Sequence, residues 1–238
     1  MTAAVLEFAA MSKDYRGLRP LRIANLTVAA AEQVAVLGFD HVSAEVFINL
    51  ATGATLPDAG QVSVFGRPTS AIGDSVDWLA TIDRFGIVSE RAVLLDQFTV
   101  IQNLAMPFTL EIEPPPADVR VRAESLAREV GLPEAARGRA VAELNAAALA
   151  RVRLGRALAL DPDILLLEHI SATLDRDDVQ TFGADVRAIA ARRGIALVAA
   201  TADEVFARAV ATRVLTLDPS TGRLNQRRSG RWFGGRLG

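Results

Sequence analysis

Acidic and imidazole side chains follow three separate apolar stretches of this sequence. The members of the set are Asp40, His41, Glu45, Glu90, Glu168 and His169. Carboxylates that converge on one cleft could bind a divalent cation, and adjacent Glu168 and His169 could form an acid/base pair. The alternatives are solvated charges in an open cleft and a histidine that fills space at the end of a strand. We expect these alternatives, so no metal site and no catalytic residue is predicted.

Apolar runs predict the strands that would position these side chains. The runs 33–37, which ends at Gly38, and 164–167 have the composition of buried parallel strands. Further strands are predicted at 5–8, 21–28, 61–65, 84–89, 195–200 and 213–217. Helices are predicted at 44–52, 100–108, 118–130, 144–160, 175–193 and 204–211. This order predicts an α/β fold with an N-terminal antiparallel β part and a helical insertion over about 95–160.

Composition limits the class of protein. The 238 residues suit one domain, predicted over 1–220, and half of them are hydrophobic, which is enough for a buried core. The chain has no cysteine, which excludes disulfides and thiol chemistry. No apolar run reaches the roughly 18–20 residues that span a bilayer, and the first ten residues do not form a signal peptide. We therefore expect an intracellular protein.

A basic tail is predicted over 221–238, where Trp232 and Phe233 lie among arginines. The arginines of this segment are Arg223, Arg227, Arg228, Arg231 and Arg236. Such a tail could contact a membrane surface or an acidic partner. A frayed terminus is the alternative that we favour.

Several ordered segments resemble the nucleotide-binding domain of ABC transporters. The segments that carry the resemblance are Phe98 to Pro107 after the Q-loop, Ala148 to Pro162 in the helix after the signature, Ile164 to Leu167 in the Walker B strand, and Ala172 to Asp175 in the D-loop. The resemblance covers Val5 to about Leu217. It implies a P-loop NTPase-like (RecA-like) parallel sheet core, ATP and Mg²⁺ as cofactors, head-to-tail dimers and an integral membrane permease partner.

The aligned phosphate-binding loop departs from the pattern GxxxxGK[ST] that cradles phosphates. The aligned residues are Gly38, Phe39, Asp40, His41, Val42, Ser43, Ala44 and Glu45. The first glycine is kept, but Ser43 replaces the second, Ala44 the lysine and Glu45 the hydroxyl that holds Mg²⁺. Lys13 is the only lysine of the chain, so no shift of the alignment supplies one.

The other family positions have also changed. Glu90 falls on the Q-loop glutamine, and Glu168, His169 and Ala202 fall on the Walker B aspartate, the catalytic glutamate and the switch histidine. The signature LSGGQ falls on Leu144 to Ala148, where alanines replace the glycines. Asn145 in this stretch keeps the properties of a helix N-cap.

Two family features persist. Tyr15 falls where the family has an aromatic ring that stacks on adenine, and the alternative is a ring that packs against the core. Asp175 keeps the D-loop aspartate.

Charge disfavours nucleotide at this site. Asp40, Glu45, Glu90 and Glu168 would surround the expected phosphate position, and only the two histidines, mostly neutral at pH 7, would oppose them. Each phosphate–carboxylate pair costs on the order of a few kcal/mol in a cleft. We therefore expect no bound cofactor.

The sequence leaves three hypotheses for function. The first is a homologue of an ABC ATP-binding subunit with a degenerate site, which does not hydrolyse ATP and docks on a membrane permease as a structural or regulatory subunit. It would form a homodimer or a heterodimer with another ABC-type subunit, bind no nucleic acid, and lie in the cytoplasm at the inner membrane. The second is an ATPase that uses ATP and Mg²⁺ through atypical residues. The third is a soluble interaction protein that reuses the fold.

Overall fold

The computed structural model describes residues 3–226. In chain order the strands are β1 (Ala4–Lys13), β2 (Leu21–Ala29), β3 (Gln33–Leu37), β4 (Ala59–Val64), β5 (Arg67–Pro68), β6 (Phe85–Ser89), β7 (Ile164–Glu168), β8 (Ala196–Thr201), β9 (Arg213–Leu217) and β10 (Leu224–Gln226). The helices are α1 (His41–Ala51), α2 (Ser75–Ile82), α3 (Val100–Ala105), α4 (Ala117–Glu129), α5 (Glu134–Arg137), α6 (Ala146–Leu158), α7 (Arg176–Arg193) and α8 (Glu204–Val210). Short 3-10 turns lie at Thr69–Ala71 and Val141–Glu143.

The central sheet has six strands in the order β10-β9-β3-β8-β7-β6. All neighbours from β9 to β6 pair in parallel, and β10 pairs with β9 in the antiparallel sense. Strands β3, β7 and β8 are buried along their whole length, which was predicted for β3 and β7 from their apolar runs. Because parallel strands end at one edge of the sheet, the segments that follow β3, β6, β7 and β8 lie together there.

The N-terminal β part is an antiparallel sheet in the order β2-β1-β4-β5. Strand β1 pairs with β2 on one side and with β4 on the other. This double pairing explains why β1 has ten residues, whereas the sequence predicted four. The parallel core and this antiparallel part are the two sheets that the sequence predicted.

Two hydrophobic clusters cover opposite faces of the central sheet. Leu165 and Leu167 of β7 join the cluster formed with the helical segments, whereas Ile164 and Leu166 join the cluster formed with α1 and the antiparallel sheet. The alternation follows from the two-residue period of a strand, which sends successive side chains to opposite faces.

The segment between β6 and β7 contains α3, α4, α5 and α6. Helix α3 ends at Ala105, earlier than predicted, because Pro107 has no N–H to donate to a carbonyl of the preceding turn. None of the helices within residues 3–226 is long and apolar enough to cross a membrane.

Three differences from the predicted elements matter below. Helix α1 begins at His41, three residues before its predicted start, and α2 was not predicted. Strand β10 occupies part of the predicted tail. The rest of that tail, with Trp232, Phe233 and four of its five arginines, lies outside the described residues.

Candidate functional site

The connection between β3 and α1 contains three residues, Gly38, Phe39 and Asp40. His41 to Glu45, which align with the second half of a phosphate-binding loop, instead form the first turn of α1. Gly38 has φ +103, and a Cβ there would lie 3.1 Å from the carbonyl oxygen of Leu217. This glycine is therefore explained by a close approach of two backbones, without reference to a ligand.

The N-terminus of α1 is capped by Asp40. Its Oδ1 accepts hydrogen bonds from the backbone N–H of Ser43 at 2.7 Å and from the Ser43 hydroxyl at 2.5 Å. The N–H of Ala44 donates to the carbonyl oxygen of Asp40 at 2.9 Å. The hydrogen bonds from Ser43 lower the pKa of the Asp40 carboxyl, and the nearby His169 adds to this effect. Two N–H groups of the aligned loop, those of Ser43 and Ala44, are thus already used inside the chain and are not available to a phosphate.

The side chains of this turn pack inward. Ala44, on the position of the phosphate-binding lysine, is fully buried in the cluster that contains Phe39 and Phe47. The rings of Phe39 and Phe47 lie 5.2 Å apart, and Phe47 also stacks on Phe8 at 5.0 Å. A long charged side chain at Ala44 would have to displace this packing.

Arg91, which follows β6, joins the two carboxylates that align with the metal-binding positions. Its Nη1 lies 2.6 Å from Oε1 of Glu45, and its Nη2 lies 2.7 Å from Oε2 of Glu168. Hydrogen bonding to Glu168 and the charges of both carboxylates raise the pKa of the Arg91 guanidinium. The prediction that only histidines would oppose the carboxylates of this site is therefore wrong.

A cavity of about 280 Å³ lies beside this ion pair. Its lining residues are His41, Val42, Glu45, Ser89, Glu90, Arg91, Glu168 and His169. The structure thus brings together three of the four predicted carboxylates and both histidines. Asp40 is not part of the lining because its carboxylate faces the first turn of α1.

The two histidines contact each other, with ring centroids 4.5 Å apart. His169 is 7% exposed and has φ +45, a left-handed conformation that histidine adopts more readily than most residues. Its Nε2 is buried without a hydrogen-bond partner among residues 3–226. Glu168 is bound to Arg91. The hypothesis that Glu168 and His169 form an acid/base pair is therefore not supported by a hydrogen bond between them.

The remaining predicted positions lie around this edge of the sheet. Glu90 accepts a hydrogen bond from the Thr173 hydroxyl at 2.7 Å, which ties the segment after β6 to the segment after β7. Ala202 is exposed beside Asp203, the N-cap of α8. Asp175 is the N-cap residue of α7, without a side-chain capping bond.

The aligned signature stretch forms the start of α6. Oδ1 of Asn145 accepts a hydrogen bond from the N–H of Ala148 at 2.9 Å, which confirms the predicted N-cap. This bond uses one of the N–H groups that a helix N-terminus would offer to an anion.

Tyr15 is half-buried and packs against the core cluster of the antiparallel sheet. Burial and the charge of Asp40 raise the pKa of its phenol. A Cβ at Gly17 would lie 2.6 Å from the ring, so the backbone of this turn covers part of it.

The fit of this site to Mg²⁺ and ATP is poor. The carboxylates at both metal-binding positions are bonded to an internal guanidinium, and the N–H of Ser43 in the first turn of α1 is bonded to Asp40. Within residues 3–226, no three His, Asp or Glu side chains are grouped as around a metal ion.

The fold is that of an ABC-type cassette. The ATP-binding cassette MJ0796 bound to ADP and Pi superimposes with a TM-score of 0.75 over 93% of this chain and 97% of that one, at 22% identity. The cbiO1 protein of Clostridium perfringens, part of the ABC transporter complex cbiONQ, gives 0.77 over 93% and 87%, at 19% identity. These matches confirm the predicted P-loop NTPase-like fold class.

Sequence relatives agree with the fold, although no family model matches the chain. The methionine import ATP-binding protein MetN of Caulobacter vibrioides is 32% identical over 216 residues, which are 90% of this chain and 64% of that protein. The lipoprotein-releasing system ATP-binding protein LolD of Chromohalobacter salexigens is 29% identical over 201 residues, 84% and 83% of the two chains. The chain resembles the nucleotide-binding domain of ABC transporter ATP-binding subunits, as predicted. It spans less than two thirds of the length of the MetN relative.

Proposed function

We propose that this chain is a non-hydrolysing ABC-type subunit, which keeps the cassette fold to dock on an integral membrane permease. The observation that carries the proposal is the bridge from Arg91 to both Glu45 and Glu168. The side chains on the two positions that hold Mg²⁺ in a P-loop NTPase, and the N–H groups of Ser43 and Ala44 in the aligned loop, are bonded here to other parts of the same chain.

Electrostatics supports the same conclusion. Arg91 compensates one of the carboxylates Glu45, Glu90 and Glu168 around the cavity, so the cavity keeps a net negative charge. Triphosphate entry would add further negative charge at close range, at a cost on the order of a few kcal/mol per pair. We therefore propose that neither ATP nor Mg²⁺ is a resident cofactor.

A groove beside the helical insertion is the proposed permease-docking surface. It has a volume of about 330 Å³ and is lined by Phe85, Ile87, Ala92, Leu94, Met106, Pro107, Arg153, Arg156, Ala157 and Leu160. Leu160 and neighbouring Val93 are exposed apolar side chains. Apolar walls with two arginines suit a short amphipathic segment that carries an acidic residue.

The partners and location follow from this proposal. Relatives are named as ATP-binding proteins of import and release systems, and cbiO1 is named as part of a transporter complex. By analogy we place this chain at the cytoplasmic face of the inner membrane through a permease, with a second ABC-type subunit as dimer partner. The differing names of the relatives point to no single transported substrate.

Isothermal titration calorimetry with ATP, with and without Mg²⁺, tests the lack of nucleotide binding. We expect no saturable binding up to millimolar nucleotide and no phosphate release above that of a buffer blank. A cassette from one of the ATP-binding relatives, prepared in parallel, gives the positive signal. Micromolar affinity for ATP would overturn the proposal and favour an ATPase with atypical residues.

Docking is tested by affinity capture from solubilised membranes of the source cell, with the full chain as bait. We expect a multi-span membrane protein to co-purify, and the double substitution Arg153→Glu, Arg156→Glu to abolish its capture. Arg120→Glu, which lies on the same insertion outside the groove, is the matched control and should retain the partner. Capture of soluble proteins alone would instead support an interaction protein that reuses the fold.

A further inference from the structure

The Arg91 bridge joins three elements that are distant in sequence. Glu45 lies on α1, Glu168 ends β7, and Arg91 follows β6. Glu168 is only 6% exposed, whereas the side chains of Glu45 and Arg91 are 43% and 48% exposed. The backbone N–H of Arg91 donates to the Ser89 hydroxyl at 3.1 Å, which fixes the turn from which the guanidinium extends.

The two carboxylates hold the positions that bind a metal ion in P-loop NTPases. There, Mg²⁺ is held by the hydroxyl of the phosphate-binding loop and by the Walker B aspartate. Glu45 aligns with the first of these positions and Glu168 with the second. In this chain the same two points are joined by a cation that belongs to the protein.

We infer that Arg91 is a built-in substitute for the divalent cation, which fastens α1, β6 and β7 to one another in the absence of nucleotide. The inference rests on the proposed function, because it explains how a cassette that binds no ATP keeps α1, β6 and β7 attached to one another at this edge of the sheet. Guanidinium is suited to this role, since its planar fork presents separate N–H groups to two carboxylates and its charge does not titrate.

The replacement of a divalent cation by the guanidinium of Arg91 has a chemical consequence. If Arg91 is removed, Glu45 and Glu168 become an uncompensated pair, with Glu90 on the same cavity. Mg²⁺ and Mn²⁺ bind to sites with one or two carboxylates and complete their shells with water. A variant without the guanidinium is therefore expected to acquire affinity for divalent cations that the wild-type protein lacks.

The test compares thermal unfolding of Arg91→Gln and wild type in EDTA, MgCl₂ and MnCl₂, with Mn²⁺ binding followed by electron paramagnetic resonance. We expect Arg91→Gln to bind Mn²⁺ with a Kd of about 1 mM or tighter. Its Tm should rise by about 3–6 °C in about 10 mM cation, whereas that of wild type should change by less than about 1 °C.

Two matched controls separate this effect from the loss of any ion pair. Arg84→Gln removes an ion pair of similar geometry, Arg84–Asp163 at 2.6 Å. Arg84 lies directly before β6, the strand that Arg91 follows. Arg91→Lys keeps a positive charge between the carboxylates. Neither variant should gain a Tm response to divalent cations.

Failure of Arg91→Gln to fold in EDTA is also informative. Recovery of its far-UV circular dichroism on addition of Mn²⁺ would support the inference. A folded variant with no Mn²⁺ binding, or an unfolded one that Mn²⁺ does not restore, would overturn it. The readout involves neither nucleotide nor permease, so this failure is distinguishable from failure of the proposed function.

Discussion

The carboxylate of Asp40 and the backbone of Ser43 close the first turn of α1, with Oδ1 2.7 Å from the Ser43 nitrogen. The Ser43 hydroxyl in turn accepts a hydrogen bond from the N–H of Asp40 at 3.0 Å, so the two residues form a reciprocal capping box. Phosphate-binding loops leave such N–H groups free for a ligand. Here the protein supplies its own anion at the helix terminus.

Asp40→Ala should reduce the free energy of unfolding by about 1 kcal/mol, because it removes the side-chain acceptor of this cap. Asp40→Asn should lose much less, since asparagine is an equally good N-cap. Urea unfolding followed by circular dichroism measures both changes. Equal losses for the two variants would show that the charge, and not the cap, stabilises the turn.

The contribution of Asp40 should depend on pH. Hydrogen bonding to Ser43 lowers the Asp40 pKa below the value of 3.8 for an unperturbed carboxyl. The stabilisation is therefore complete above that value and is lost as the pH falls through the lowered pKa. Urea unfolding at a series of pH values between about 6 and 2.5 measures the stability difference between wild type and Asp40→Asn. This difference should become less favourable to wild type below about pH 4. A constant difference across the series would contradict the assignment.

The helical turn at this site was only partly visible in the sequence. Asp40 is a preferred N-cap residue, and this signal could have placed the start of α1 at His41. The alignment with a phosphate-binding loop favoured a later start. Asp74, which accepts hydrogen bonds from Val76 and Asp77, gave a similar signal for α2, but that helix has only eight residues and none of them is buried.

Arg91 was missed for a different reason. The positions of β3, β7 and β8 along the chain, and the burial of β3 and β7, follow from local composition, so the sequence predicted them. An ion pair between Arg91 and Glu168 spans 77 residues of sequence and depends on side-chain directions at the edge of the sheet. In a chain rich in arginine, no local pattern indicates which arginine enters the cleft.

Restoring the phosphate-binding lysine should not restore nucleotide binding. Ala44→Lys places a charged side chain at a fully buried position beside Phe47, and overpacking with a buried charge should cost about 2–4 kcal/mol. Val42→Lys, on the same turn but 56% exposed, should change stability by less than about 0.5 kcal/mol. Urea unfolding measures the stability of both variants, and a fluorescent ATP analogue measures their nucleotide binding.

A stronger version of this test combines Ser43→Gly, Ala44→Lys and Glu45→Ser, which rewrites the aligned loop to the family pattern. We expect the combined variant still to lack ATP binding, because Glu90 and Glu168 remain in the cavity and Arg91 keeps Glu168 as a partner. Tight ATP binding by this variant would show that the loop sequence alone had prevented it.

The helical insertion should be held to the core by Glu129 at the end of α4. Its Oε1 lies 2.9 Å from Nε of Arg193, and its Oε2 lies 2.5 Å from Nη2 of the same residue. Arg193 also donates to the carbonyl oxygen of Leu158 at 2.9 Å and pairs with Asp161 at 2.9 Å. The hydrogen bonds and the charge of Arg193, followed by those of Arg192, lower the pKa of the Glu129 carboxyl. The side chains of Glu129 and Arg193 are 19% and 21% exposed, so solvent screens the pair less than a surface pair.

Glu129→Gln should therefore reduce the free energy of unfolding by about 1–2 kcal/mol, because a charge-assisted bidentate pair becomes a neutral contact. Glu124→Gln on the same helix is the matched control. It removes the Arg120–Glu124 pair, in which the Arg120 side chain is 63% exposed, and should cost less than about 0.5 kcal/mol. Hydrogen exchange adds a local readout, since α4 should lose protection in Glu129→Gln while β3 and β8 keep theirs. If exchange instead rises uniformly, Glu129 stabilises the whole domain and does not specifically attach the insertion to the core.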